Sequence, residues 1–224
     1  MIKNITIKFL SSWHIGSGLG DGYRTDAKLV RNSFGLPFIP GRVLKGALRE
    51  GAKRLSSCRD DLKRAEIVIF GTRDDEVKTN QSGIISVSCG EVSDELTNVF
   101  LQETPSIREL LVRDMLTLRT QTALTEDKLT KKGSLRNIEC GISGLEFNAE
   151  ISLSDSENLY EQIGKGCNKE WIEAYFKAVL ASVKSIGGDR SRGLGKCEVL
   201  INHEKLSNVT LPQNLELWGQ HESI

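Results

Sequence analysis

Alternating apolar and polar residues near the start of the sequence predict a β-strand. Ile5, Ile7 and Phe9 fall on one face of this strand, because successive side chains of a strand point to opposite faces. The same alternation returns over residues 145–153, which form the clearest strand after the first. Further strands are expected over residues 28–31, 67–71, 83–88 and 195–201.

Two other segments repeat their apolar residues at helical spacing. The first runs from Arg42 to about Leu55, and the second runs from Trp171 to Ile186. Residues 93–134 are charged and polar with only short apolar runs, so we expect an extended excursion there rather than packed core. This order of elements predicts an α+β fold in which helices cover one face of an antiparallel sheet.

The first predicted helix carries a strip of cations. Arg42, Lys45, Arg49 and Lys53 recur at positions that bring their side chains to one side of the helix. Cationic helix faces are often only exposed to solvent and bind no ligand, and residue chemistry alone leaves both interpretations of this strip open. The Pro-Gly entry at residues 40–41 leaves the helix N-terminus open for an anion, which raises the interest of the strip.

A second cationic segment, the Gly-Arg loop of residues 186–196, follows the second predicted helix. It interleaves four glycines with Arg190, Arg192 and Lys196. Glycine lets the backbone approach a ligand closely, and arginine offers a planar fork that matches phosphate. The segment fits a phosphate-binding loop and an ordinary surface turn equally well.

Composition narrows the function classes. The 224 residues include 30 Lys and Arg and 30 Asp and Glu, so the formal net charge is zero. This argues against a protein that binds nucleic acid through bulk charge, although a local basic groove remains compatible with it. The length fits one domain or a closely packed pair.

Cysteine usage and hydropathy point to a cytoplasmic protein. The chain lacks a signal peptide and any apolar run of membrane-spanning length, so we expect no membrane partner. Its cysteines are odd in number and form no CxxC pair, which favours reduced thiols over a disulfide framework or a zinc site. They are Cys58, Cys89, Cys140, Cys167 and Cys197.

Few residues are candidates for catalysis. Of the three histidines, His14, His203 and His221, only His14 lies among glycines in a predicted loop. It could be a general base, but a lone loop histidine is more often structural or a hydrogen-bonding contact. Residues 16–20 lack the βαβ context of a dinucleotide fingerprint, and residues 41–47 lack the P-loop spacing. Asp26 follows the glycine-rich loop, where chemistry alone favours an Asx turn.

Several segments together resemble the RAMP superfamily of CRISPR-associated RNA-binding proteins, and most of all the repeated backbone subunit of type III effector complexes. They occur in the family's order and span nearly the whole chain. The matching segments are residues 13–16, 26–31, 36–49, 70–71, 133–139, 145–147 and 186–196.

The resemblance implies a single domain over residues 1–224 with a ferredoxin-like, RNA-recognition-motif-type core and a β-hairpin thumb. We place the thumb around residues 93–140, where Met115, Leu116 and Leu118 are candidates either for wedges between bases or for ordinary packing. Such subunits stack along a CRISPR RNA and contact its backbone irrespective of sequence. The residues expected to bind RNA are His14, Arg42, Lys45, Arg49, Gly187, Gly188, Arg190, Ser191, Arg192, Gly193 and Lys196.

In catalytic family members, an aspartate in the loop before the Pro-Gly helix cleaves target RNA with a divalent metal such as Mg²⁺. The residue at that position is Asp26, which thereby becomes the candidate catalytic residue and metal ligand. A carboxylate and a metal can position a 2′-hydroxyl as nucleophile. Because the loop offers little further acid apart from Asp21, we expect a sparse and slow site.

The resemblance also implies partners and leaves alternatives. The partners would be CRISPR RNA, target RNA, other RAMP subunits, a large polymerase-like subunit and a small helical subunit. The chain could instead be a non-catalytic structural RAMP subunit, or a guide-processing endoribonuclease that uses His14. An unrelated phosphometabolite enzyme is the outside possibility.

Overall fold

The computed structural model combines two antiparallel sheets with six α-helices in the part of the chain that it describes. It describes residues 2–22, 24–57, 59–72, 82–123, 125–127, 129–154, 159–164, 167–202 and 204–205. Cys58, His203, His221, the polar segment over residues 73–81 and the tail after Pro212 lie outside these ranges. The cysteines inside them, Cys89, Cys140, Cys167 and Cys197, are free thiols.

The helices and strands follow one another as an α+β protein. The strands are β1 (Ile2–Phe9), β2 (Ile85–Val87), β3 (Leu116–Gln121), β4 (Arg136–Gly141), β5 (Glu146–Leu153), β6 (Cys197–Ile201) and β7 (Glu204–Lys205). The helices are α1 (Gly41–Ser56), α2 (Asp60–Phe70), α3 (Asp94–Gln102), α4 (Pro105–Asp114), α5 (Leu159–Ile163) and α6 (Lys169–Ser182). No helix within the described ranges is long and apolar enough to cross a membrane.

The main sheet has five strands in the order β2-β5-β1-β6-β7, and its pairings are antiparallel. Ile7 of β1 lies opposite Phe147 of β5 on one side and Val199 of β6 on the other. These apolar residues form the inner face, whereas Asn148 and Glu150 are exposed on the outer face. The predicted antiparallel sheet with helices on one face is therefore confirmed.

The main core lies between the inner face of the sheet and the helices. Its centre contains an aromatic group in which the rings of Phe9 and Trp13 stack at 4.5 Å between centroids. Phe147 meets both rings edge-on, at 5.8 Å and 5.2 Å. All three side chains are fully buried. The sequence 13–16 is thus anchored at its first residue, which fixes where the following loop leaves the sheet.

Three sequence-based predictions of the elements were wrong. Residues 28–31 were expected to form a strand, but they make only isolated bridges, at Leu29 with Gly16 and at Arg31 with Pro37.

Residues 67–71 were expected to form a strand, but Ile67 to Phe70 are the last turn of α2. Leu62, Ala65 and Ile69 are buried along α2 at spacings of three and four, and this longer period overrides the β-branched run at its end.

Residues 93–134 are also less extended than expected. They include α3 and α4, and Phe100, Val112 and Met115 from this region belong to the main core. Ser93 caps α3 by accepting a hydrogen bond from the Leu96 N–H, and Pro105 begins α4. The buried residues lie far apart in sequence, so average polarity conceals them. After α4, β3 and β4 pair as a separate two-stranded hairpin.

Candidate nucleic-acid interface

Asp26 lies at the edge of the β3–β4 hairpin. Its N–H donates to the Asn137 carbonyl at 2.8 Å, and the Asn137 N–H donates back to Asp26 Oδ2 at 2.7 Å. The next residue, Ala27, forms a parallel bridge with Ile138 of β4. Asp26 is exposed, and its Oδ1 accepts no hydrogen bond from the described residues. One carboxylate oxygen is therefore fixed by the hairpin backbone.

Glu139 fastens the segment after Asp26 to the hairpin. Its half-hidden carboxylate accepts the Leu29 N–H at 2.9 Å and the Arg31 Nη2 at 2.6 Å. Its backbone N–H donates to the Ala27 carbonyl at 2.9 Å. In the sequence, Glu139 stands out only as part of a segment that resembles the family, and its contact with Arg31 requires the fold.

His14 lies between the hairpin and the Gly-Arg loop. Its Nδ1 is 2.7 Å from the Glu139 carbonyl oxygen. Because a carbonyl oxygen only accepts, Nδ1 carries the proton, and Nε2 is the acceptor in the neutral ring. The His14 carbonyl accepts the Gly188 N–H at 2.8 Å. His14 thus links the β3–β4 hairpin to the Gly-Arg loop.

The Gly-Arg loop approaches His14 closely because it contains glycine at position 187. Gly187 has a φ of +103°, and a Cβ built there would lie 2.4 Å from the His14 carbonyl oxygen. Any larger residue would be strained and would push the loop away. Beyond it, a short 3₁₀ turn at Arg190–Arg192 presents part of the loop to solvent. The exposed residues here are Gly188, Arg190, Ser191, Arg192, Gly193 and Lys196.

Both arginines of the Gly-Arg loop contact carboxylates. Arg190 donates from Nη1 to Glu50 Oε2 at 2.6 Å and from Nη2 to Glu50 Oε1 at 3.1 Å. This contact lowers the pKa of Glu50 and raises the pKa of Arg190. Arg192 donates to Gln121 Oε1 at 2.8 Å and lies 3.6 Å from Asp189 Oδ1. The loop cations are consequently held in place.

A small apolar group, the junction cluster of Ala27, Ile138, Cys140 and Leu194, joins the three elements. Ile138, Cys140 and Leu194 are buried, and Ala27 packs against them. Burial raises the pKa of the Cys140 thiol to about 11. The Asp26 segment, β4 and the Gly-Arg loop each contribute to the cluster, so Asp26, His14 and the loop arginines are brought to one end of the molecule.

A groove of about 290 Å³ runs between α1 and the Gly-Arg loop. Gly46 and Ala47 of α1 form one wall, and Gly187 and Gly188 form the other. Small residues on both walls let a polymer backbone come close to the main chain. The Glu50–Arg190 pair also lines this groove.

The cationic strip of α1 differs from its prediction. Arg42 and Lys53 are exposed, but Lys45 Nζ donates to the Ile85 carbonyl at 3.0 Å, and desolvation lowers its pKa. Arg49 donates to the carbonyls of Phe70 and Gly71. The Lys45 side chain is long enough to connect α1 to β2, and the Arg49 side chain connects α1 to the end of α2. They are structural contacts in this conformation.

The entry to α1 lies against the end of β2. A Cβ at Gly41 would lie 2.4 Å from the Val87 carbonyl oxygen, so the helix begins directly against that strand end. The glycine of the Pro-Gly pair serves this close approach.

The predicted thumb residues divide into two kinds. Met115 is 9% exposed within the main core, and Leu116 packs against that core, so ordinary packing accounts for both. Leu118 on β3 is 51% exposed. Leu129 and Leu135, in the connection between β3 and β4, are also exposed and were not predicted. These three leucines are the apolar residues that the hairpin presents to solvent.

The fold is that of a ferredoxin-like α+β domain with a hairpin beside a loop of glycine and arginine. The family model for the RAMP superfamily matches residues 6–198. The chain therefore belongs to the RAMP superfamily.

Individual relatives agree with this assignment. The chain is 28% identical over 191 residues to the CRISPR system Cms endoribonuclease Csm3 of Methanocaldococcus jannaschii. That alignment covers 77% of this chain and spans 66% of the relative's own length. In the apo cryo-EM structure of type III-B Cmr-beta, one chain matches with a TM-score of 0.65 at 13% identity, covering 90% of this chain and 97% of that one.

A chain of a type IV-B CRISPR complex is similar at a lower level. Its TM-score is 0.55 at 16% identity, and the match covers 90% of both chains. At these identities the structural matches show the fold alone. They confirm the ferredoxin-like arrangement that the sequence resemblance implied.

Proposed function

We propose that this chain is a guide-RNA-binding backbone subunit of a type III CRISPR effector complex and that it cleaves target RNA through Asp26. The observation that supports this most is the convergence of Asp26, His14 and the Gly-Arg loop on one hairpin. The similarity to a relative named an endoribonuclease points the same way. The complex would act in the cytoplasm, with other RAMP subunits, a large polymerase-like subunit and a small helical subunit.

The groove between α1 and the Gly-Arg loop is the proposed guide-binding surface. Exposed Arg42, Arg192 and Lys196 would contact phosphates, and the glycine walls would admit the backbone. Such contacts are independent of base identity, as a subunit that accepts any guide requires. Leu118, Leu129 and Leu135 would separate bases where the hairpin meets the RNA.

In the proposed reaction, the 2′-oxygen of target RNA attacks the adjacent phosphorus while the bond to the 5′-oxygen breaks. The 2′-hydroxyl proton passes to water and the leaving 5′-oxygen takes a proton from water, which leaves a 2′,3′-cyclic phosphate and a 5′-hydroxyl. Asn137 holds Asp26 Oδ2, which leaves Oδ1 to accept a hydrogen bond from the 2′-hydroxyl and to orient it. Because Asp26 is exposed, an RNA strand whose bases are unstacked could place its backbone against the carboxylate. Because only one carboxylate assists the 2′-hydroxyl, we expect cleavage to be slow.

A divalent cation fits this site if the substrate completes it. No group of three or more His, Cys, Asp or Glu side chains in the described ranges could hold a metal. The Asp21 carboxylate accepts the N–H groups of Arg24 and Thr25, so it is engaged in the loop turn. Mg²⁺ commonly takes one or two carboxylates together with substrate phosphate and water. Asp26 would be the protein ligand, and the bound ion would offset charge on the phosphate.

Replacing Asp26 tests the proposed activity. In a complex reconstituted with guide and target, Asp26→Ala should lower target cleavage by about 10²–10⁴-fold, because the positioned carboxylate is lost. Guide and target binding should be unchanged in a gel-shift titration. Asp114→Ala, which removes an exposed carboxylate at the end of α4, is the matched control. Unchanged cleavage by Asp26→Ala would refute the catalytic assignment.

A non-catalytic RAMP subunit is the second candidate, favoured by the single carboxylate at the site. The Asp26→Ala variant separates the two functions, since target cleavage depends on Asp26 only if this chain is the catalytic subunit. A guide-processing role for His14 predicts metal-free cutting of repeat RNA by the isolated chain. We expect no such cut.

A further inference from the structure

The Glu50–Arg190 contact uses the part of the arginine that would grip RNA. Both terminal nitrogens of Arg190 donate to the two carboxylate oxygens of Glu50, at 2.6 Å and 3.1 Å. This paired geometry is the one that guanidinium also forms with phosphate. While it persists, that edge of Arg190 is closed to a phosphate.

The position of the pair makes it relevant to RNA. Among the described residues that line the groove between α1 and the Gly-Arg loop, Glu50 and Arg190 are the only charged ones. Their side chains are 47% and 39% exposed, so a competing anion has access to both. An RNA backbone that enters the groove must therefore meet a carboxylate as well as a guanidinium.

Resting on the proposed guide-binding function, we propose that Glu50 is a built-in phosphate mimic, and that guide RNA binds by displacing it from Arg190. Glu50 is thereby a specificity-determining residue that selects against short or weakly bound RNA. A tethered carboxylate has a high effective concentration at Arg190, so an isolated phosphate competes poorly. A long strand competes well because its other phosphates are held at the same time.

The neutral composition of the chain agrees with this arrangement. Equal numbers of cations and carboxylates would leave little bulk attraction for RNA. Arg192, the other loop arginine, likewise lies 3.6 Å from Asp189. At Arg190, attraction then requires a strand that exchanges places with a carboxylate, and short RNA is held weakly there.

Neutralising Glu50 tests the proposal by anisotropy titration of the full chain with a labelled single-stranded RNA. Glu50→Gln should tighten binding about two- to fivefold, the range of an exposed ion pair. The gain should be proportionally larger for a short oligonucleotide than for a guide-length RNA. The double variant Glu50→Gln with Arg190→Gln should bind no more tightly than Arg190→Gln alone, because the competitor and its target are then both absent.

A matched control separates exchange from net charge. Glu146 also forms an exposed ion pair, with Lys8 Nζ at 2.7 Å, on a sheet strand that does not line the groove. Glu146→Gln makes the same change of charge and should leave affinity unchanged. An equal gain in Glu146→Gln, or weaker binding in Glu50→Gln, would overturn the exchange.

Arg190→Gln distinguishes failure of this inference from failure of the guide-binding proposal. If Arg190→Gln weakens binding while Glu50→Gln does not tighten it, the loop binds RNA but Glu50 does not compete. If Arg190→Gln leaves affinity unchanged, Arg190 does not bind RNA and the exchange fails. Failure of the full chain to bind guide-length RNA at all would instead refute the guide-binding proposal. Thermal unfolding of each variant shows whether it remains folded during the titration.

Discussion

The main core and the junction cluster hold the chain together in different ways. The main core packs apolar side chains from the five-stranded sheet and the helices around the rings of Phe9, Trp13 and Phe147. The junction cluster has three buried residues and Ala27, and hydrogen bonds and ion pairs surround it. Large apolar burial dominates stability, whereas polar contacts between exposed groups contribute little. Substitutions in the junction cluster should therefore disturb the site while costing less free energy of unfolding than substitutions in the main core.

The largest expected effect comes from the main core. Phe147→Ala removes a fully buried ring from the aromatic group and should lower the free energy of unfolding by about 3–5 kcal/mol. Urea denaturation followed by circular dichroism measures this. RNA binding should fall in parallel with the folded fraction. A loss below about 1 kcal/mol would contradict the central role of this group.

A substitution in the junction cluster should reduce stability less than one in the main core, but it should disturb the site selectively. Leu194→Ala should cost about 2 kcal/mol, at the low end for such truncations, since the cluster is small enough to collapse. Under conditions where the variant is folded, target cleavage should fall by about tenfold, because misplacing Asp26 disrupts its alignment.

Leu110→Ala, on α4, is the control for that experiment, since Leu110 is exposed and belongs to neither apolar group. It should change neither the free energy of unfolding nor the position of Asp26. Hydrogen exchange over residues 25–29 and 136–141 should rise in Leu194→Ala alone. Unaltered cleavage in Leu194→Ala would show that Asp26 does not depend on the cluster.

The smallest expected effect is a pH dependence at Glu50. Arg190 lowers the pKa of Glu50 in the folded state, so this pair stabilises the protein above the ordinary pKa of 4.5. The stabilisation is lost as pH falls below 4.5 through the lowered folded pKa. Because both groups are more than a third exposed, the change should not exceed about 0.5 kcal/mol.

Denaturation of wild type and Glu50→Gln at pH 7 and at pH 3 measures that dependence. Wild type should lose slightly more free energy of unfolding than the variant, which has no carboxylate to protonate at this position. An identical loss would mean that the ion pair does not stabilise the fold. RNA binding would then provide the more sensitive measure of the contact.

Much of the fold follows from periodicity, as β1, β5 and α6 illustrate. Their apolar residues keep one period over many positions, and burial of one face makes that period visible. The end of α2 was misassigned because Ile67 to Phe70 have no period of their own. Likewise, Phe100 and Val112 are core residues spread through polar helices, so local composition could not reveal them.

The site was less accessible to sequence reasoning. Residue chemistry made the Gly-Arg loop, His14 and Asp26 candidates, and the family resemblance gave them roles in RNA binding and cleavage. Those roles stay a prediction. The pairing of Arg190 with Glu50, and of Arg31 with Glu139, joins residues more than 100 positions apart, so no local pattern encodes it. The inward turn of Lys45 and Arg49 likewise depends on neighbouring elements that a helix strip does not show.

The central place of β1 has a consequence for how the protein is made. This strand is hydrogen-bonded to β5 and to β6, and Thr6 meets its partner Asn148 across 142 positions of sequence. At about 5–20 residues per second of synthesis, an apolar strand waits on the order of ten seconds for its first neighbour. Such long-range pairing folds slowly, and the waiting strand is a natural substrate for chaperones.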